Sequence, residues 1–140
     1  MYHDLYFTMH VLQIYRSDFT ILQPTQTQPN APISLIVEQS NQVSLRLENP
    51  GNGQDDFLLE ASAISGPEMS SPAIVDFDIT IPQKSLGPLA TSISYVGVTI
   101  SEDTPAQEPF ILRFRLTSLG NQSVYREIDL LVEAEPDHSW

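Results

Sequence analysis

The chain has no cysteine. That excludes disulfides, thiol nucleophiles and cysteine-ligated zinc, and it leaves the redox compartment open. Cations are scarce: one lysine, Lys84, and five arginines stand against 18 acids, for a net charge of −12. Such a surface repels phosphate backbones and anionic lipid, so neither nucleic acid nor a charged membrane surface is an expected partner. No apolar run reaches the ~18 residues that a membrane-spanning helix needs, so no integral membrane segment is expected. Histidine is confined to His3, His10 and His138, which leaves the middle of the chain without an imidazole for a Ser-His-Asp arrangement. The opening MYHDLYFTMHVLQIYR has no basic n-region, and Asp4 and His10 break its apolar stretch, so it does not read as a signal peptide. No stretch of ten or more residues keeps a helical period.

What the chain does have is alternation. With 140 residues and 41% hydrophobic content it can bury one core without a metal. Val43, Leu45 and Leu47 alternate with Ser44, Arg46 and Glu48. The same period-two pattern puts Phe57, Leu59, Ala61 and Ala63 on one face of 56–63, and Val75, Phe77, Ile79 and Ile81 on one face of 73–81. In 110–117, Phe110, Leu112, Phe114 and Leu116 point inward and Arg113 and Arg115 outward; in 124–132, Arg126 interrupts the apolar set and suggests an edge. The phase of 92–100 slips between Tyr95 and Val96, which predicts a bulge near Gly97. Residues 19–22 and 33–37 are shorter strand candidates. The 11 prolines cluster between these runs, where no ladder N–H is needed. NPGNG (49–53), SGPEMSSP (65–72), PQKSLGP (82–88) and EDTPAQEP (102–109) read as turns, with glycine supplying positive φ. The expected fold is an all-β antiparallel sandwich of about seven to nine strands, with a closed barrel as the alternative.

Two stretches carry a resemblance. In 41–64, NQVSLRLENPGNGQDDFLLEASAI, a strand ends in asparagine, a Gly-Asn turn follows, and Asp-x-Phe opens the next strand. In 91–134 an alternating strand leads to EDTPAQEP, FILRFRLTS, a Gly-Asn hairpin and the closing IDLLVEAE. Over about residues 18–134 this resembles the immunoglobulin-like repeats of archaeal and bacterial cell-surface proteins, the alpha-galactosidase-associated Ig-like domain foremost and the CARDB-type adhesion domains beside it. The resemblance implies an Ig-like sandwich acting as a spacer, stalk or adhesion module without catalytic residues. The chain departs from it at Asn49-Pro50, where the family more often has Asn-Thr or Asn-Ser, and in the longer segment 64–92.

The two ends of the chain also resemble each other. At a constant offset, Tyr6, Leu12 and Asp18 match Tyr125, Leu131 and Asp137 with the strand phase kept. Residues 1–16 then read either as a leading strand or as the end of a preceding repeat, 17–134 as the sandwich, and 135–140 as a linker or the start of a following repeat. Neighbouring Ig-like repeats or copies of the chain itself are the expected partners, with strand exchange through residues 4–15 as one route.

The candidate sites weigh less than the fold. Asp76 and Asp78 form a carboxylate pair on an outward strand face, which lacks the desolvation and the cleft a glycosidase needs, so no enzyme is expected. His3 and His10 fall on opposite faces of a strand and make no metal pair. Asn52, Asp55 and Asp56, with Asn49 and with Glu102 and Asp103 if those loops share an end, are the calcium candidates; the competing reading is that Asn and Asp merely cap turns. Tyr95, Tyr125 and Trp140 are the aromatics outside the apolar phase, too scattered for a sugar platform. Asn121-Gln122-Ser123 is a glycosylation sequon in a hairpin. The function expected is a non-catalytic structural or adhesion module, extracellular or at the cell surface, serving as a spacer or tandem-array and filament unit. The alternative is a carbohydrate- or protein-binding accessory module, with calcium dependence open.

Overall fold

The computed structural model describes residues 12–25 and 30–136. Among them there is no helix, and nine strands form two sheets. The first sheet holds β1 (Asp18–Gln23), β3 (Ser40–Glu48), β7 (Thr91–Ile100) and β5 (Val75–Ile79), in that order. The second runs β2 (Ile33–Ile36), β9 (Tyr125–Glu135), β8 (Phe110–Ser118), β4 (Asp55–Ile64) and β6 (Gln83–Leu86). All neighbours are antiparallel except β2 and β9, which pair in parallel along Val132–Glu135.

Alternation builds the core because each strand has one face to bury. Val43, Leu45 and Leu47 of β3 and Val96, Val98 and Ile100 of β7 meet Phe57 and Leu59 of β4 and Phe110, Leu112, Phe114 and Leu116 of β8. Every one of these side chains is at most 2% exposed. On the opposite face of the second sheet, Arg113 stands across from Asp129 and Arg115 across from Glu127. Arg113 Nε lies 2.8 Å from Asp129 Oδ1, and this hydrogen bond raises the guanidinium pKa above its ordinary value. Arg115 lies 3.8 Å over the Tyr125 ring, a cation–π contact that accounts for one of the exposed aromatics.

Four expectations need correction. The bulge is not at Gly97: β7 pairs with β3 without a shift from Ser40↔Thr99 to Glu48↔Thr91, and the irregularity falls in β1 between Ile21 and Gln23. The inward set of β7 is Ser94, Val96, Val98 and Ile100, with Ile93 and Tyr95 about half exposed on the outer face. A serine in the core phase and two large residues outside it mimicked a slip. Second, PQKSLGP is not only a breaker. Its QKSL is β6, paired with β4 from Asp55↔Leu86 to Leu58↔Gln83. Being an edge strand it buries only Leu86, so its alternation was too thin to read. Third, no glycine has positive φ; among the described residues the left-handed ones are Glu38, Leu89 and Gln107. Fourth, Ile81 lies beyond β5 and is 51% exposed.

The registers define two ends of the sandwich. The upper end gathers Asp18, Glu48, Asp55, Leu86, Thr91, Ser118 and Tyr125; the lower end gathers Ile36, Ser40, Ile64, Val75, Ile100, Phe110 and Glu135. Of the leading segment, residues 12–17 carry no strand. Residues 4–11, His3, His138 and Trp140 lie outside the described residues, as does most of 135–140.

Candidate functional site: the upper end of the sandwich

The NPGNG loop follows β3 and is organised by Asn49, which is 1% exposed. Its side-chain amide donates to the carbonyls of Gly53 and Leu86, both at 2.9 Å, and its Oδ1 accepts from Gly51 N–H at 2.9 Å. Its backbone joins the facing loop: Asn49 N–H donates to Ala90 O at 3.1 Å and Leu89 N–H to Asn49 O at 2.8 Å. Leu89 is held there at φ 64 with 76% of its surface exposed. A bulky residue adopts that conformation only when its surroundings impose it.

Asp55 opens β4 and is 7% exposed. Its carboxylate accepts from Asp56 N–H at 2.8 Å, from Gly120 N–H at 2.9 Å and from the Ser118 hydroxyl. Ser118 Oγ in turn accepts from Asn121 N–H at 3.1 Å. One buried carboxylate therefore ties the β8–β9 hairpin to the start of β4. Asp56, its neighbour, points the other way and accepts from the Ser85 hydroxyl of β6.

Asn52 is exposed and grips the leading segment. Its Oδ1 accepts from Ile14 N–H at 2.6 Å, its side-chain amide donates to Leu12 O at 3.0 Å, and its own N–H donates to Ile14 O at 3.3 Å. Beside it Gln13 Nε2 donates to Gln54 O at 2.7 Å, and further on Ser17 Oγ donates to Leu116 O at 2.7 Å. The glycines of this end make room for that segment. A Cβ on Gly51 would lie 2.4 Å from Ile14 O, one on Gly53 2.8 Å from Gln13 Cδ, and one on Gly120 2.2 Å from the Tyr15 ring.

The three calcium candidates therefore sit at one end, each with hydrogen-bonding work to do: Asn52 on the leading segment, Asp55 on the hairpin, Asp56 on Ser85. Glu102 does not join them; its N–H bonds to Glu38 at the lower end, at 2.8 Å. Among the described residues no group of three or more His, Cys, Asp or Glu is placed to hold a metal ion. Asp76 and Asp78 are exposed on β5. Asn121 is exposed in its hairpin, its Oδ1 accepting from the hydroxyl of Ser123 at 2.6 Å. The grip on 12–15 was not foreseen. It is made of a carboxamide and bare glycines, which in sequence are indistinguishable from turn chemistry.

No family model matches the sequence, and no curated protein is similar to it. Solved structures are. A FixG-related protein from Vibrio parahaemolyticus superposes with a TM-score of 0.56 at 10% identity, over 86% of this chain and 96% of that one. The fold is immunoglobulin-like. AvmM, described as catalysing macrocyclization in alchivemycin A biosynthesis, gives a TM-score of 0.50 at 9% identity over 90% and 92% of the two chains. The PapD-like domain 7 of human CEP192 gives 0.46 at 10% identity over 95% and 99%. At these identities the likeness shows the fold alone.

Proposed function

We propose that the chain is a non-catalytic structural or adhesion module of a secreted or cell-surface protein, working as a spacer or as the repeating unit of a tandem array or filament. The observation that carries this reading is the direction of the chain through the sandwich. Residues 12–17 lie at the upper end, bonded to Asn52, Gln54 and Leu116. Glu135 leaves at the lower end, where Val37 N–H donates to its carbonyl at 3.0 Å. The 11 residues of β9 separate the two by about 35 Å. A body that receives its chain at one end and releases it at the other stacks head to tail and carries tension along its strands.

The jobs already held by Asn49, Asp55 and Asp56 favour a scaffold over a reaction centre, and Asp76 and Asp78 stand exposed on one strand, where a glycosidase needs two carboxylates across a cleft. The surface context rests on the resemblance of 41–64 and 91–134 to prokaryotic Ig-like repeats, within which the alpha-galactosidase-associated and CARDB-type domains are the nearest in pattern. Residues 1–16 and 135–140 are then the joints between units. Small-angle X-ray scattering on two copies fused head to tail tests this. The expected maximum dimension is close to twice that of one copy; a pair folded side by side would falsify the reading.

One feature favours the accessory-module alternative. Ile93 and Tyr95 lie two apart on the outer face of β7, 52% and 49% exposed. Among the described residues, β5 runs beside only Val96–Ile100 of that strand. A saturable signal on a glycan array, lost in Tyr95→Ala, would replace the spacer by a binding module.

A further inference from the structure

We propose that the upper end is a socket for an extended peptide, filled here by the chain's own residues 12–15, and that the same residues of a second copy enter it by exchange. The socket reads main chain. Asn52 presents a donor, an acceptor and its own N–H to the backbone of Leu12 and Ile14, so these three bonds do not depend on the side chains of the entering segment. Its floor is bare because a chain passes over it. Gly51, Gly53 and Gly120 are not needed for their dihedrals, since none has positive φ, yet a methyl at any of them would strike Ile14, Gln13 or Tyr15.

The docking is also shallow. Leu12 is 80% exposed and Ile14 50%, Tyr15 is half-buried, and none of them belongs to the hydrophobic core, so the segment can leave without opening that core. Arg16 and Ser17 connect it directly to β1, so residues 12–15 can swing out as one piece while Ser17 stays on Leu116. A second copy's segment makes the same bonds in the same socket, so exchange costs little beyond the freedom of the two bodies and is favoured by concentration or tethering. Ile14 of the docked segment shares a cavity with Pro50, Pro88 and Leu89 of the socket, and the exposed Leu12, Ile14 and Leu89 are apolar surface that two copies brought together would cover. The inference does not depend on the spacer reading. An array unit that never exchanges would pass the scattering test and fail the one below.

The absence of cysteine makes a clean test available in the full chain. Gln13→Cys is mixed with Gly53→Cys in a glutathione buffer, and the disulfides are mapped by peptide mass. The double variant Gln13→Cys/Gly53→Cys, at low concentration, is the geometric control. Gln54→Cys is a second receiving position that adds no side chain to the glycine floor, since the Gln54 carbonyl lies 2.7 Å from Gln13 Nε2. The expected result is a link within the monomer in the double variant and a 13–53 or 13–54 heterodimer in the mixtures. The heterodimer should rise with concentration and fall about tenfold when the receiving chain also carries Asn52→Ala. Closure in the double variant with no link between chains overturns the exchange. Failure of both overturns the socket itself.

Discussion

Each end of the sandwich is organised by one asparagine, and the two differ in burial and in purpose. At the lower end Asn41 is half-buried, and its amide donates to Ile36, Gln39 and Val98 carbonyls at 3.0–3.3 Å. Around it Glu38 accepts from Glu102 N–H, and Thr104 bonds both backbone groups of Ile74. Most of these bonds tie the loops of this end to one another and to β7. At the upper end Asn49 is almost wholly buried and is backed by the buried carboxylate of Asp55. The loop that Asn49 braces carries Asn52, whose bonds go outward to the leading segment. The lesson is that a buried polar network supports an exposed grip. Desolvated partners that cannot be replaced by water fix the loop, and the fixed loop positions the one side chain that reaches out.

The sharpest way to break that comparison is to truncate both asparagines. Asn49→Ala leaves two carbonyls and one N–H without their partner, two of the three bonds being buried, and is expected to cost about 3 kcal/mol in urea denaturation at unchanged slope. Asn41→Ala frees carbonyls whose bonds are only part-buried or exposed and should cost about 1 kcal/mol. Equal costs would mean that burial does not separate the two ends. The adjacent acids give the next contrast. Asp55→Asn turns one arm of the buried acceptor into a donor facing Gly120 and Asp56 N–H or the Ser118 hydroxyl, for an expected loss of about 2 kcal/mol. Asp56→Asn, on the Ser85 hydroxyl at the surface, should lose less than about 0.5 kcal/mol.

How much of this could be read from the sequence follows from which forces leave a period. Burial does: Val43, Leu45 and Leu47, or Phe110, Leu112 and Phe114, repeat every second residue because every second residue faces the core, so the long strands and the two-sheet fold were legible. Edge strands bury little, and β6 was taken for a turn because Leu86 alone marks it. Hydrogen bonds to backbone leave no period. Asn49, Asn52 and Asp55 lie within seven positions of one another, with the same composition as any polar turn, yet one braces a loop, one grips residues 12–14 and one pins a hairpin. Gly51 and Gly53, which in sequence read as positive-φ turn residues, supply clearance instead. That property depends on which segment lies above them, and that segment is 38 residues away in sequence at its Asn52 contact.

Two smaller effects sharpen the upper end further. Gly120→Ala puts a methyl where the Tyr15 ring lies at 2.2 Å and Asp55 Oδ1 at 2.9 Å. Tyr15 can move, so the expected cost is only about 1 kcal/mol. The informative readout is hydrogen exchange, which should quicken at the Ile14 amide while the β8 amides keep their protection.

The smallest expected effect is that of calcium. A cation at this end would need several oxygens turned toward one point. The Asp55 oxygens accept three hydrogen bonds from within the fold, Asp56 faces Ser85, and the Asn52 Oδ1 is bonded to Ile14. Binding would first have to break bonds that already stabilise the folded chain. Any ligand that prefers the folded state raises its melting temperature, by an amount that grows with the logarithm of its concentration over its Kd. The expected shift on adding calcium or a chelator is therefore below about 1 °C. A rise of several degrees that Asp56→Asn abolishes would mean that the turn is a cation site after all. The same rise surviving Asp56→Asn but lost in Asn52→Ala would put the cation where the leading segment docks, so that calcium and residues 12–14 compete for one grip.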